Sequence, residues 1–582
     1  MKGVIINMQK KWWQNAVVYQ IYPKSFKDSN KDGIGDLTGI IEGLDYIRSL
    51  GVNVIWLCPV NRSPMRDNGY DISDYYTIDP LFGTNADLER LIKEAKTRGI
   101  KVLMDLVVNH VSSEHKWFLD MLSDENSPCR DYFIIRETQD GNPPNNFRSY
   151  FGDSVWTRIG DSNRFYFHSF AKEQPDLNWE NPRLRQEIYD MMSYWCGKGI
   201  AGFRVDAIGN IKKSAKILSS CHMPPDAGDG MADSHDWLLN QPGINVFLSE
   251  MRDRVFHKYD SMTVAEVSVP DDQLAEYVGE NGYFSMVFDF SYTDIDVNGV
   301  TTPCDLVPWN LEELKGHIYH SQEVTQKIGW AAPYLENHDQ PRSVNKYLPD
   351  GAINDYNTKM LGALFFFLRG TPYIYQGQEL GMQNYPFTRI EQFADEGALK
   401  RYEVAAACGE PEEKIMDYLR RRSRDNGRTP MQWSDDKYAG FSSESPWLSV
   451  NPDYTWRNVR SQNQDDLSIL QFYRRMVWLR LHSAYRNVLT YGMFEGLRVG
   501  GPEDFVYRRY DETHEVLVIL NYSETERPYS INLSGYEILL NNYAAIPDIS
   551  CPKAARGSIG EEHTLLPWQV LVVGKEIRQK SC

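Results

Sequence analysis

Eight short apolar runs, each followed by a longer segment of helical periodicity, restrict this chain more than any other feature. Strands that alternate with helices form a parallel sheet, which either closes into an eightfold barrel or stays open and doubly wound. The runs are Val17–Tyr22, Val52–Pro59, Lys101–Val108, Gly202–Ile208, Met262–Val267, Met286–Phe290, Trp330–Leu335 and Thr371–Tyr375.

The segments between the runs carry recognisable helix signals. Leu88, Leu91 and Ile92 fall on one helical face, and Thr84 stands where an N-cap is expected. A second helix is predicted from Leu184 to Gly199, because a glycine commonly ends a helix.

Acidic side chains at the ends of different runs separate the two architectures. Asp105, Asp206, Glu266 and Asp339 lie at or near the ends of the third, fourth, fifth and seventh runs. An open sheet would gather its chemistry at one switch point, whereas a barrel collects it from the C-terminal ends of several strands. We therefore predict an α/β fold, a (β/α)8 TIM barrel.

Long segments without the alternation predict additional domains. A loop as long as 111–181 is usually functional, so we predict an inserted domain over the barrel mouth after the third strand. Short strand-like runs near the end predict an all-β C-terminal domain. The predicted domains are 1–110 and 182–486 for the barrel, with a late excursion at 376–465, then 111–181 for the insertion and 487–582 for the antiparallel β domain.

Composition excludes several classes of partner. The 582 residues are 42% hydrophobic and carry a formal net charge of −18, which disfavours nucleic acid and anionic membranes. The eight cysteines contain no CxxC pair, and no apolar stretch is long enough to cross a membrane. The start of the chain lacks the apolar region of a secretion signal. We expect a cytoplasmic protein, and a monomer.

Three strand-end motifs contain the side chains needed to cleave a glycosidic bond. Retaining hydrolysis uses two carboxyl groups about 5–5.5 Å apart, one as nucleophile and one as acid/base. Asp206 is the predicted nucleophile, because Arg204 projects from the same face of the strand and should keep it ionised. Glu266 closes an apolar strand, where partial burial would hold the proton of a general acid. His338 and Asp339 could bond adjacent sugar hydroxyls.

Together these motifs resemble the α-amylase superfamily, glycoside hydrolase family 13. The matching segments are Asp105–His110, Gln174–Trp179, Gly202–Asp206, Glu266 and Asn337–Asp339. The resemblance implies that Asp206 is the nucleophile, Glu266 the acid/base and Asp339 the transition-state stabiliser. It also implies that Gln174 lies by the pocket and that His110 and His338 bind the sugar in the first subsite.

Finer motifs resemble the oligo-1,6-glucosidase and α-glucosidase branch. They are Asp67–Asp71 after the second run and Arg428–Trp433 in the late excursion. The resemblance implies that Asp67 pairs with Arg428 to close one end of the pocket and that Tyr70 stacks on the sugar. It also ties linkage preference to the residue after the nucleophile, valine for α-1,6 and threonine for α-1,4. Here that residue is Ala207, which predicts mixed use of linkages.

The segment from Asp28 to Asp36 has the spacing of a calcium loop. Oxygen-bearing side chains stand at Asp28, Asn30, Asp32 and Asp36, and Gly33 allows the sharp turn. The twelfth position holds Gly39 instead of glutamate, so the loop is not an EF-hand. The resemblance adds the carbonyl of Ile34 as a ligand and implies a structural Ca2+.

The sequence thus predicts a retaining, exo-acting α-glucosidase for short oligosaccharides, which needs no organic cofactor. Within the same fold, a sucrose isomerase and a trehalose-6-phosphate hydrolase remain alternatives. The isomerases carry an Arg-Leu-Asp-Arg-Asp string that is absent here. A catalytically inactive transporter subunit is disfavoured, because all three carboxylates are present and no membrane span is predicted.

Overall fold

A parallel sheet of seven strands forms the centre of the molecule in the computed structural model. The model describes residues 10–124, 126–226, 229–297, 304–529, 531–544 and 563–577. In spatial order the strands are Met286–Val287, Met262–Ala265, Gly202–Asp206, Lys101–Val107, Val54–Leu57, Val18–Ile21 and Tyr373–Tyr375. All neighbouring pairs run parallel.

The segment 330–335, predicted as the seventh strand, closes the barrel without forming a full strand. Ala331 makes a single parallel bridge to Val287 of the strand Met286–Val287. On its other side, the Ala331 carbonyl accepts the N–H of Thr371 at 2.9 Å and the Pro333 carbonyl accepts the N–H of Tyr373 at 2.9 Å. Pro333 has no N–H to donate to a ladder, which explains why the pairing is reduced here.

Side chains alternate between the barrel interior and the surrounding helices. Trp56, Val264, Met286 and Trp330 belong to one buried cluster inside the barrel, as a strand period of two requires. The side chain of Arg204 lies over the ring of Trp56, with its guanidinium carbon 5.4 Å from the ring centroid. The interior is therefore apolar below and becomes polar toward the C-terminal ends of the strands.

Helices surround the barrel, and the cap predicted at Thr84 is confirmed. Its hydroxyl accepts the N–H of Asp87, and the helix ends at Thr97. Gly199 has a φ of +106° just after the end of the helix that begins at Pro182. The α-helices are Leu37–Leu50, Asn85–Thr97, Lys116–Ser123, Pro182–Gly197, His235–Leu238, Ile244–Met251, Leu274–Val278, Leu311–Ile328, Ser343–Tyr347, Asp355–Phe366, Glu396–Ala407, Glu412–Arg422, Asp425–Arg428, Val459–Asn463, Ile469–His482 and Arg486–Tyr491.

A small antiparallel sheet follows the third barrel strand, within the predicted insertion. Its strands are Ile135–Glu137, Arg164–Phe167 and Trp156–Arg158. Residues 211–226 and 229–240, which follow the fourth barrel strand, contribute to the core of this sheet: Ile217 and Leu238 share a buried cluster with Phe147 and Val155. This second contribution to the barrel mouth was not predicted. A separate two-stranded pairing joins Asn61–Arg62 to Asp74–Ile78.

The C-terminal part forms a five-stranded antiparallel sheet, in agreement with the all-β prediction. In spatial order its strands are Met493–Leu497, Asp504–Tyr510, His514–Asn521, Val570–Glu576 and Glu537–Asn541, and Arg527–Tyr529 pairs separately with His563–Leu565. Part of the predicted domain, 545–562 and 578–582, lies outside the described residues. Among the helices described, none is long and apolar enough to cross a membrane.

Candidate active site

One buried guanidinium connects three carboxylates at the C-terminal end of the barrel. Nη1 of Arg204 lies 2.7 Å from Oδ1 of Asp105 and 2.7 Å from Oδ1 of Asp206, and Nη2 lies 2.8 Å from Oε2 of Glu266. Arg204 is 1% exposed, whereas the side chain of Glu266 is 26% exposed. The two acids predicted to act on the glycosidic bond therefore face each other across a single cation.

Strand register explains this arrangement. The fourth and fifth barrel strands pair with Arg204 beside Val264, and the N–H of Glu266 donates to the Val205 carbonyl at 2.9 Å. Alternation along each strand then turns Arg204, Asp206 and Glu266 to the inside of the barrel.

The residue after Asp206 has an unusual backbone. Ala207 has a φ of +41° and a ψ of +34°, the left-handed region that most residues with a Cβ avoid. This conformation lets its N–H donate to Oε2 of Glu266 at 3.1 Å. The strained turn therefore helps to hold the predicted acid/base in place.

The pKa of Asp206 is shifted in the direction opposite to the one predicted from Arg204 alone. Burial raises the pKa of the Asp206 carboxyl well above its usual range; Arg204 opposes this shift, while Glu266 and Asp105 add to it. Arg204 alone was expected to keep Asp206 ionised, but it is shared by three carboxylates. Because these acids interact strongly, their protons belong to the group as a whole. A cluster that retains a proton suits a reaction that needs one carboxylate and one carboxylic acid.

His338 and Tyr70 form the wall next to this cluster. Their rings stack with centroids 5.4 Å apart and an interplanar angle of 13°, and the Tyr70 hydroxyl contacts Nε2 of His338. The same hydroxyl donates to Oδ2 of Asp105 at 3.1 Å. Tyr70 was predicted to stack on the sugar; its ring lies against His338 and the Arg204 guanidinium, whose carbon is 5.6 Å away.

Asp339 is surrounded by donors. Its Oδ2 lies 3.0 Å from Nε2 of His338, and its Oδ1 lies 2.8 Å from Arg428 and 3.4 Å from Arg424. Burial acts to raise the pKa of Asp339, but the interactions with His338, Arg424 and Arg428 outweigh it and hold the pKa well below the usual range. The lowered pKa keeps Asp339 ionised at neutral pH, which suits the predicted role of stabilising positive charge.

The predicted pair of Asp67 with Arg428 does not form. Oδ1 of Asp67 lies 3.2 Å from Nη2 of Arg424, whereas Arg428 binds Asp339 and the carbonyl of His338 at 2.8 Å. Arg424 directly precedes the one-turn helix Asp425–Arg428 and Arg428 is its last residue, so both reach the pocket. The spacing of four residues between them was a signal that sequence reasoning missed. Asp395, also missed, binds Arg424 at 2.5 Å.

His110 and Gln174 complete the wall on the side of Asp67. Nε2 of Gln174 lies 3.2 Å from Oδ2 of Asp67 and 3.1 Å from Nε2 of His110, which itself lies 3.1 Å from the Tyr70 carbonyl. Burial lowers the pKa of His110, so its ring is neutral. Lys213 was not predicted: it bonds Asp176 at 2.7 Å and so ties the insertion to the barrel.

All ten predicted catalytic and substrate-binding residues thus join one continuous network of contacts.

The predicted calcium loop, Asp28 to Asp36, contains hydrogen bonds from its own backbone to its carboxylates. Asp28 accepts the N–H groups of Asn30 and Lys31 at 3.0 and 2.7 Å, and Asp36 caps the following helix. The predicted ligand atoms of this loop are all oxygen atoms, which suits a hard cation. In the described part of the chain, no group of three or more His, Cys, Asp or Glu side chains is arranged to hold a metal ion.

Comparison with known proteins agrees with this geometry. The family model for the α-amylase catalytic domain matches residues 20–492. The chain belongs to the α-amylase family. An oligo-1,6-glucosidase of Halalkalibacterium halodurans is 43% identical over 92% of this chain and 95% of its own length. A trehalose-6-phosphate hydrolase of Bacillus subtilis is 41% identical over 90% and 92%. The crystal structure of isomaltulose synthase from Klebsiella sp. LX3 has a TM-score of 0.89 at 34% identity and covers 98% of this chain and all of its own.

Proposed function

We propose that this protein is a retaining, exo-acting α-glucosidase that releases glucose from the non-reducing end of short oligosaccharides. One observation carries the proposal: two nitrogens of the Arg204 guanidinium bind Asp206 and Glu266 at 2.7 and 2.8 Å. Two acids bound by one guanidinium lie close together, which favours the narrow spacing of retention over the wider gap that inversion leaves for water. The many relatives named oligo-1,6-glucosidase support the same activity.

The reaction proceeds in two steps. Asp206 attacks the anomeric carbon while Glu266 gives its proton to the departing oxygen, which leaves a glucosyl ester on Asp206. Glu266, now a carboxylate, takes a proton from water, and the resulting hydroxide displaces Asp206 to release glucose. Asp339 stabilises the positive charge that develops on the sugar ring in both steps.

The exo mode follows from the charged side of the pocket. Asp67, Asp339 and Asp395 share Arg424 and Arg428 and form a dense set of ion pairs there. A glucose hydroxyl can bond these groups, whereas a continuing chain would collide with them. We propose that this cluster accepts the terminal glucose and excludes longer chains on its side.

For linkage, we propose use of α-1,6 bonds together with some α-1,4 bonds or sucrose. The supporting feature is the small side chain of Ala207, which is 9% exposed and lies beside Glu266. Side-by-side rates on isomaltose, maltose and sucrose test this point. Exclusive use of a single linkage would contradict it.

A trehalose-6-phosphate hydrolase is the competing activity, because such an enzyme is among the relatives. A phosphate needs a cation that is not already neutralised. Among the described residues of the pocket, Arg204, Arg424 and Arg428 each bind carboxylates, which favours a neutral sugar.

A disaccharide panel with product identification tests the activity. Purified protein is incubated with isomaltose, maltose, sucrose, trehalose and trehalose 6-phosphate, and the products are separated. Glucose release from isomaltose with retained α-configuration supports the proposal. Isomaltulose from sucrose, or cleavage of only the phosphorylated sugar, would replace it with one of the two alternatives.

We also propose that Asp28, Asn30, Asp32, Asp36 and the carbonyl of Ile34 hold a structural Ca2+, on the strength of their oxygen donors alone. Ca2+ at a hundredfold excess over Kd should stabilise the fold by about 2.7 kcal/mol. Thermal unfolding with chelator, Ca2+ or Mg2+ measures this. A Tm that does not respond to Ca2+, together with no Ca2+ retained after dialysis, would exclude the ion.

We propose a monomer that acts in the cytoplasm, where thiols stay reduced. The six cysteines in the described residues are free, and Cys58, Cys196 and Cys304 are buried. Light scattering and cell fractionation test the two points.

A further inference from the structure

The imidazole of His338 is held so tightly that its partners determine which nitrogen carries the proton. The side chain is fully buried. Tyr70 stacks on the ring, and Trp56 meets it edge-on, with centroids 5.8 Å apart and an angle of 89°. A ring packed in this way cannot turn over, so each nitrogen keeps its partners.

The partners of Nε2 require a proton on that nitrogen. Oδ2 of Asp339 lies 3.0 Å away, and an ionised carboxylate can only accept. Since the same carboxylate also binds Arg428 at 2.8 Å and Arg424 at 3.4 Å, it is held as an anion, and Nε2 donates to it. The state of the imidazole then depends on Nδ1 alone.

Nδ1 faces a fully buried amide from the first barrel strand. Nε2 of Gln20 lies 2.8 Å from Nδ1 of His338 and also donates to Sγ of Cys58 at 3.3 Å. Gln20 is 1% exposed. An amide that presents its NH2 group to Nδ1 requires a lone pair there, which exists only in the neutral ring. An imidazolium would have to meet the amide oxygen instead.

We propose that Gln20 is a positioning residue that keeps His338 neutral with its proton on Nε2. The inference builds on the proposed glucosidase activity, which supplies its chemical reason. Positive charge develops on the sugar ring in the transition state. A second positive charge on His338 would oppose that development, whereas the neutral ring keeps its single N–H for Asp339.

Gln20→Glu tests the proposal, because a carboxylate at this position would attract a proton to Nδ1. His338 should become an imidazolium, and kcat should fall about tenfold or more, which is the effect of roughly 1.4 kcal/mol on the barrier. KM should change less, because the ground-state sugar is neutral. Raising the pH would remove the added proton, so the pH optimum should move to higher pH. The charged or titratable groups around His338 are Tyr22, Cys58, Tyr70, Asp105, Arg204, Asp339 and Arg428.

Gln322→Glu is the matched control. Gln322 lies on the helix Leu311–Ile328 and is 3% exposed, and its amide bonds the backbone of Arg369. The same chemical change there should lower the Tm and leave the pH optimum of kcat in place. A shift of equal size in both variants would contradict the role of Gln20.

Two-bond 1H–15N spectra of 15N-histidine-labelled protein read the tautomer directly and do not depend on activity. His338 is assigned from the signal lost in His338→Gln. A lone pair on Nδ1 in the unsubstituted protein and an N–H on both nitrogens in Gln20→Glu support the proposal. A proton on Nδ1 in the unsubstituted protein overturns it, even if Gln20→Glu does not fold. Absence of glucose release with the expected tautomer would refute the activity and leave the proton assignment standing.

Discussion

Two clusters of charged side chains in the same pocket differ in their number of guanidinium groups, and the pKa values of their carboxyl groups differ as well. The catalytic cluster is Arg204 with Asp105, Asp206 and Glu266. The rim cluster is Arg424 and Arg428 with Asp67, Asp339 and Asp395. Each contains three carboxylates, but the first has one guanidinium and the second has two.

The pKa shifts of the carboxyl groups have opposite directions in the two clusters. Burial raises the pKa of Asp105 and Asp206, with Arg204 opposing the shift in both. In the rim cluster burial acts the same way, but for Asp339 the interactions with His338, Arg424 and Arg428 outweigh it, and for Asp395 those with Arg424 and Arg428 do, so the pKa of each carboxyl is lowered. The catalytic cluster is thus suited to hold and transfer a proton, and the rim cluster to keep a fixed negative charge.

Asp206→Asn is expected to have the largest effect. It removes the proposed nucleophile, and an amide in the same place cannot form the glucosyl ester. We expect kcat to fall about 10⁴-fold or more. Glucose release from isomaltose under saturating conditions measures the loss.

The control is Asp453→Asn, which changes a partly buried carboxylate paired with Arg457 at 3.0 Å in the late excursion. Its activity should stay within about threefold, because changes outside the site act mainly on stability. Near-normal turnover by Asp206→Asn would remove the distinction between the two clusters.

A double-mutant cycle on Asp67 and Arg424 tests the rim cluster. Each single change, Asp67→Asn or Arg424→Gln, should raise KM about 10–100-fold, because a charge-assisted hydrogen bond contributes about 1.5–3 kcal/mol. In the double variant, KM should rise by less than the product of the two single increases, since the two groups are in contact.

The same cycle with Arg428→Gln shows which arginine is the partner. Asp67 contacts Arg424, and Arg428 contacts Asp339, so coupling between Asp67 and Arg428 should be weaker. Stronger coupling to Arg428 would restore the pairing expected from the sequence.

Much of the fold could be predicted because it depends on local patterns. The apolar runs, the cap at Thr84 and the turn at Gly199 express strand, helix and glycine preferences that act over a few residues. The reduced pairing of 330–335 could not be predicted from apolar periodicity alone. It follows from Pro333 in a position that faces two neighbouring strands.

The candidate site was predicted where residues stand at strand ends and missed where distant segments meet. Asp206 and Glu266 follow apolar runs, so their direction can be deduced from alternation. Asp67 and its partner Arg424 are 357 positions apart along the chain, and a motif could not distinguish Arg424 from Arg428. The upward shift of the Asp206 pKa likewise depends on how many carboxylates share Arg204.

Stability as a function of pH provides the finest test of the comparison. A carboxyl whose pKa is raised in the folded state, such as Asp206, stabilises the fold below its unfolded pKa of about 3.9, and this contribution is lost as the pH rises through the folded value. For Asp339 the folded pKa is lowered, so the contribution is present above about 3.9 and is lost as the pH falls through the folded value. At pH 7, Asp206→Asn should therefore raise the free energy of unfolding and Asp339→Asn should lower it, each by about 1–3 kcal/mol. The Asp206 difference should shrink toward pH 4, whereas the Asp339 difference should persist to about pH 4 and shrink only at lower pH. Thermal unfolding of the two variants across this range measures them, and changes of the same sign at pH 7 would mean that the two clusters do not differ in charge balance.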